Sequence, residues 1–246
     1  MDLGLRGRTA IVCGASSGMG LAISEVLSAE GANVAMFARR RDLLEREAER
    51  LGALAVRGDL TNPKHLEALI DQTVEAFGAL DVLVLNGGGP PAGPAATMTA
   101  VQVEAAVELL LTPHVRLVGL ALPHLKASGQ GRIVAIESVS VREPIANLAL
   151  SNAVRPGVVG WLRTLAQELG LDGITVNTIA PGRIDTDRLR SLVPGGYSDA
   201  DLEPVALPRL GTPAEVAHVA CFLASSRASY VTGTVIPVDG GLLRGV

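Results

Sequence analysis

The chain predicts a doubly wound α/β fold, a parallel sheet of about seven strands with helices on both faces. Three observations carry this. Short, continuous apolar runs recur along the 246 residues at 9–13, 33–37, 53–57, 82–86, 132–136, 174–179 and 234–238. Helical patterns separate them at 18–30, 42–52, 63–77, 98–126, 152–169 and 213–224. The third is the glycine-rich junction between the first strand and the first helix. Runs that are apolar throughout, rather than alternating, belong to strands buried on both faces, as a parallel sheet clad with crossover helices requires. Right-handed crossovers then gather the ligand-binding loops at the carboxyl ends of the strands.

The first unit carries the clearest chemistry. Thr9-Ala-Ile-Val-Cys13 runs into Gly14, Ser16, Ser17, Gly18, Met19 and Gly20, and a helix-compatible stretch follows from Leu21 to Ala29. Such a helix start points free N–H groups and the positive end of its dipole outward, towards a pyrophosphate. Glycine serves because the turn calls for positive φ and because side chains would keep phosphates away. Alone the loop also reads as an ordinary strand-to-helix turn. After the first strand of an alternating chain it points to a dinucleotide, and the fold to the Rossmann type.

The second run ends at Phe37, followed by Ala38, Arg39, Arg40 and Arg41. A carboxylate here would hold free ribose hydroxyls, whereas guanidinium groups suit a 2′-phosphate. NADP(H) is therefore preferred, with NAD(H) possible. Arg39 is the first choice for the phosphate contact and Arg40 the second, and at least one of the three arginines is expected to be a solvated turn. Asp59, with Leu60 beside it, follows the third run and is placed to accept from the adenine amino group, since Thr61 and Asn62 are better positioned to cap the next helix. After the fourth run, Asn86-Gly87-Gly88-Gly89 keeps side chains small where a cofactor approaches. The long pattern at 98–126 contains Pro113, which is expected to kink it and free the Leu109 carbonyl for a proton-relaying water; Pro156 is expected to free that of Asn152. Residues 183–212 lack a period, carry Pro194, Gly195 and Gly196, and read as a lid where selectivity lies.

Composition narrows the function classes. At 48% apolar residues the chain suits one large domain, 1–246. A net charge of −4 gives no basic footprint for nucleic acid. Two cysteines, Cys13 and Cys221, make no disulfide scaffold, and no metal cluster is apparent. The uncharged stretch 82–103 is broken by glycines and prolines, so no membrane span is expected and a cytoplasmic location is.

These segments, in this order, resemble the short-chain dehydrogenase/reductase family nearly end to end, and among its members the 3-oxoacyl-carrier-protein reductases. Cys13-Gly14 to Gly20, Asn86-Gly87-Gly88, Gly131 to Ser138, Val176 to Gly182 with Ile184 and Thr186, and Tyr230 to Gly241 carry the likeness. The resemblance implies that Ser138 is a catalytic serine, and that Pro181, Gly182, Ile184 and Thr186 hold the nicotinamide amide and phosphates. It implies a homo-oligomer, a tetramer or dimer, built on the helices near 98–126 and 152–169.

The resemblance breaks at the chemistry. The family's Tyr-x-x-x-Lys begins thirteen residues beyond the serine; here Ser151 and Arg155 stand in that register. The family's asparagine aligns near Leu110. An aliphatic hydroxyl cannot be tuned into a phenol's role, and arginine holds its proton, so Arg155 can serve the cofactor ribose but not relay protons. Spacing of four keeps Ser151 and Arg155 on one helix face. Tyr197 in the lid and His114 in the kinked helix are substitute acids to weigh. Tyr230 belongs to the closing strand, and Glu137 alternates away from Ser138 as a structural or interface carboxylate. The favoured reading is an NADP(H)-dependent oxidoreductase, acting on a small carbonyl or alcohol with a non-standard proton donor. The alternatives are a catalytically degenerate dinucleotide-binding protein or regulatory subunit, and a non-redox enzyme on the same scaffold.

Overall fold

In the computed structural model, residues 2–193, 195–198 and 202–245 are described. Seven strands, β1 (Thr9–Cys13), β2 (Asn33–Ala38), β3 (Leu54–Arg57), β4 (Val82–Leu85), β5 (Arg132–Ile136), β6 (Thr175–Pro181) and β7 (Val235–Val238), form one parallel sheet ordered β3-β2-β1-β4-β5-β6-β7. All seven apolar runs became strands. The strand order reverses between β1 and β4, which opens a crevice at their carboxyl ends.

Side-chain alternation divides the interior in two. Ile11, Cys13, Phe37, Leu83, Leu85, Ile133 and Ala135 face one way, towards α3 (Pro63–Phe77), α5 (Thr112–Ser128) and α6 (Ala149–Glu168). Val12, Met36, Val84, Val134 and Ile136 face the other, towards α1 (Gly18–Ala29) and α8 (Pro213–Ala224). Strands apolar on both sides thus each feed two cores. Cys13 and Cys221 are small buried members of these cores, and burial pushes both thiols up to about 12.

The pattern at 98–126 is two helices, not one kinked helix. Thr99 and Gln102 form a reciprocal cap that starts α4 (Ala100–Leu110), which ends before Leu111. Pro113 then falls in the first turn of α5, where no helical hydrogen bond is lost, so the expected interior kink is absent there. Pro123 is the proline inside α5. The run Ala100–Ser128 is long and apolar enough to cross a membrane, yet Ala106, Leu110, Leu117, Val118, Ala121 and Leu125 face the core. Pro156 lies inside α6 without ending it. The Asn152 side chain there both donates to the Ile145 carbonyl (2.8 Å) and accepts from its N–H (3.1 Å).

Beyond β6 the chain is tied at both ends of the expected lid. Ile184 and Gly211 form a parallel bridge, with the Gly211 N–H donating to the Arg183 carbonyl (2.9 Å) and that of Asp185 to Gly211 (2.8 Å). Between them lies the short α7 (Asp187–Leu192). Pro194 lies outside the described residues. Tyr230, expected in the closing strand, precedes β7 and is fully exposed, because β7 starts only at Val235.

Candidate active site

A cleft of about 490 Å³ runs along the carboxyl ends of the strands, and every expected site residue except Gly20 lines it. Gly20 is needed for packing instead: a methyl group there would lie 2.3 Å from the Gly14 carbonyl oxygen. Gly14, at φ +62°, turns the chain below it, and the Asn86 amide closes the junction by donating to the Cys13 carbonyl (3.0 Å). Asn86 is thus a clamp between β4 and β1 as well as part of the wall.

The start of α1 suits an anion. Its N-cap, Ser17, makes no side-chain capping bond, and no acidic residue occupies the first turn. The first-turn N–H groups therefore stay available at the positive end of the helix. Arg40 reaches back over this loop and donates to Ser16 Oγ (3.2 Å) and to Ser17 Oγ. Arg39 stands at the rim, its side chain 75% exposed and 3.9 Å from Asp59. Arg41 is the solvated member, bonded to Glu45 at 2.8 Å on the surface of α2 (Arg41–Leu51). Asp59 accepts from the Thr61 N–H (3.0 Å) and hydroxyl (2.9 Å), and the backbone bond chiefly holds its carboxyl below the usual range. Asn62, not Asp59, caps α3. These residues fit a dinucleotide carrying an extra phosphate: an open N–H cradle, two guanidinium groups at its edge, and no carboxylate directly after β2.

The other end of the cleft is a hydrogen-bonded chain of side chains. Ser138, just after β5, accepts from the Ser140 N–H (3.1 Å), which fixes the turn that presents its hydroxyl. Ser151 Oγ lies 3.2 Å from Ser140 Oγ and accepts from Arg155 Nε at 3.2 Å. Arg155 then donates to Glu137 Oε2 at 2.7 Å and to the Gly88 carbonyl at 3.4 Å. Glu137 and Arg155 side chains are 1% and 11% exposed, so this ion pair is buried.

Glu137 gains a partner that the sequence reading did not foresee. It does point away from Ser138, but onto the face that α6 covers, where Arg155 meets it inside the cleft wall. A buried carboxylate just beyond β5 needs a partner, and the arginine standing in the register of the family's lysine is that partner. Burial pushes the Glu137 carboxyl upward while Arg155 pulls it down, and Oε1 has no hydrogen-bond partner. The charge of Arg155 is consequently spent on Glu137 and not held in reserve for Ser151.

The other candidate acids fall away from the wall. His114 is buried on α5, neither ring nitrogen has a partner, and burial, with the charge of Arg155, lowers it to about 4. Tyr197 packs its ring under Arg183, 5.2 Å from the guanidinium carbon, and is not among the lining residues. Leu110, where the asparagine aligns, is buried, while Leu109 lines the cleft. Among the described residues no His/Cys/Asp/Glu cluster could hold a metal ion.

Comparison with known proteins agrees with this geometry. The enoyl-(acyl carrier protein) reductase family profile matches residues 14–243. The 3-oxoacyl-[acyl-carrier-protein] reductase FabG of Vibrio cholerae is 35% identical over 242 residues, covering 98% of this chain and 99% of that one. The 3-oxoacyl-[acyl-carrier-protein] reductase MabA of Mycobacterium bovis is 37% identical over 238 residues, 97% of this chain and 94% of the other. Among solved structures, L-sorbose reductase from Gluconobacter frateurii, complexed with NADPH and L-sorbose, superposes with a TM-score of 0.93 at 32% identity over all of both chains. Sheet order, glycine loop and these relatives converge: the chain belongs to the short-chain dehydrogenase/reductase family of oxidoreductases, as a 3-oxoacyl-carrier-protein-reductase-like member with Ser151 and Arg155 in the register of the usual tyrosine and lysine.

Proposed function

We propose that the protein is an NADP(H)-dependent carbonyl reductase or alcohol dehydrogenase that works without the family's tyrosine. One observation supports this above the rest. The uncapped start of α1, Arg39 and Arg40, and the Ser138–Ser151–Arg155 group line one continuous cleft. The NADPH in the neighbouring L-sorbose reductase is consistent with the same cofactor here. When bound, the cofactor supplies a hydride to the substrate's carbonyl carbon. The glycine loop and Arg40 hold its phosphates, Arg39 its 2′-phosphate, and Arg155 its nicotinamide ribose. Ser138 holds the substrate oxygen, and the proton reaches that oxygen from water through Ser151 or from Tyr197 as the lid moves.

We read residues 1–246 as one domain with 183–212 as its lid, cytoplasmic and homo-oligomeric through the surfaces of α4 to α6. Sedimentation velocity tests the assembly. The second reading is a dinucleotide-binding protein or regulatory subunit, and the Glu137–Arg155 pair favours it by neutralising the cation that is hydrogen-bonded to Ser151. Fluorescence titration with NADPH and NADH, followed by turnover against a carbonyl panel, separates the two. NADPH binding with turnover supports the reductase; tight binding with none across the panel overturns it for the second reading.

A further inference from the structure

The charged side chains lining the cleft are not evenly paired. Glu137, Arg155, Asp187 and Arg188 are among the charged residues of that lining. Glu137 and Arg155 neutralise each other at 2.7 Å. Asp187 is held by Arg190 at 2.8 Å, and the same guanidinium binds Asp185. Among the described residues the Arg188 guanidinium has no carboxylate within salt-bridge distance and makes one hydrogen bond, to the Pro90 carbonyl at 2.6 Å.

The backbone is shaped to hold this guanidinium in place. A side chain at Gly89 would begin 2.9 Å from Arg188 Nη2 and 3.2 Å from Nε, so the absence of one gives the guanidinium room to lie across the loop after β4. Arg155 reaches the same loop at the Gly88 carbonyl. Two guanidinium groups therefore converge on residues 88–90 with one carboxylate between them. Partial burial and the charge of Arg155 both push the pKa of Arg188 downward, the mark of a cation held against its preference. An anion would relieve that cost.

The anion belongs to the substrate side. Thr186 faces the glycine loop, its methyl 3.4 Å from where a Gly18 side chain would start. Arg188, further round α7, lies instead against Gly89 and Pro90, close enough to Arg155 to feel its charge. Its residue remains open to solvent, so a ligand can reach it.

We propose that Arg188 is a specificity residue that binds a carboxylate carried by the carbonyl substrate, so that the enzyme prefers oxo acids to neutral ketones. The proposal rests on the reductase reading. A guanidinium offers a carboxylate two parallel N–H donors, and charge-assisted bonds of this kind are the strong ones.

The test compares 2-oxobutanoate, 3-oxobutanoate and 4-oxopentanoate with their methyl esters, using NADPH and the wild-type, R188Q and R188K proteins. For at least one pair, the wild type should favour the acid in kcat/KM by about tenfold or more. R188Q should bring that ratio close to one, R188K should recover part of it, and NADPH Kd should stay within about twofold, because the cofactor phosphates lie elsewhere. An acid-to-ester ratio unchanged by R188Q overturns the proposal. So does an NADPH Kd that rises as much as the acid's KM, which would make Arg188 a cofactor contact. If nothing turns over, calorimetric titration of the three acids into the NADP⁺ complex decides. Binding lost in R188Q retains the anion site while the reductase reading fails; binding absent or indifferent to R188Q ends the proposal.

Discussion

The two ends of the cleft are built from different materials. At the β1–β2 end the working groups are backbone: a turn at Gly14, an uncapped helix start at Ser17, and glycines that nothing else could replace. At the β5–α6 end they are side chains, linked from Ser140 through Ser151 and Arg155 to Glu137. A backbone cradle tolerates almost no change, because a Cβ in the wrong place collides with main chain that cannot yield. A side-chain site can be rebuilt so long as its groups still satisfy one another, as the buried arginine and buried carboxylate do here. The difference explains how the family's cofactor platform persists here while its catalytic pair does not.

The largest effect should follow from Gly20→Val. Its Cβ would meet the Gly14 carbonyl at 2.3 Å, and the expected loss is about 5 kcal/mol or more, seen as a collapsed Tm and no NADPH binding. A folded, NADPH-binding variant would show that the cradle is softer than its contacts imply.

At the other end, Glu137→Leu strands a buried guanidinium and should cost about 3–5 kcal/mol in urea unfolding. Adding Arg155→Met should restore much of this, since paired apolar replacement removes the uncompensated charge. Additive losses in the double variant would mean that the two residues do not act as a unit.

His114 gives a pH signature. Its folded pKa of about 4 lies below the ordinary 6.5, so between those values the unfolded chain binds a proton that the native one does not. Stability from this residue is therefore present above pH 6.5 and lost as pH falls towards 4, by about 3 kcal/mol in all. Glu137 works the other way, its raised pKa favouring the native state at low pH and losing that benefit as pH rises. His114→Leu should flatten the acid limb of Tm against pH; an unaltered limb would place the titration elsewhere.

Arg39→Asp should weaken NADPH binding about 10- to 100-fold and leave NADH within about threefold, read as two Kd values. Equal losses would remove the 2′-phosphate assignment. The smallest effect belongs to Arg41→Ala, whose exposed, solvent-screened pair with Glu45 should leave stability unchanged within error. Its NADPH Kd should not move. A loss as large as that of Arg39→Asp would reverse the roles of the two arginines.

Sequence legibility followed the same division. Period and spacing located all seven strands, because residues buried on both faces leave a continuous apolar run that needs no knowledge of neighbours. They also located the glycine loop, whereas it was the family resemblance, counted from Ser138, that pointed to the serine and arginine four apart on α6. The break at Leu111 was hidden, since Pro113 reads alike as an interior kink or as a first-turn residue until the caps are seen. Glu137 was placed on the correct side of its strand but without its partner. Arg188 gave no signal at all, as its meaning lies in Gly89 and in carboxylates already claimed by Arg190 and Arg155.

By itself, then, the sequence determined the sheet, its strand ends and the phosphate cradle, because these depend on local periodicity and on the conformations open to glycine. Only the tertiary structure decided which charges meet. Glu137 and Arg155 lie 18 residues apart and Arg188 and Pro90 lie 98 apart, and whether such groups neutralise, clash or stand open to a ligand is a matter of distance and burial in the folded chain.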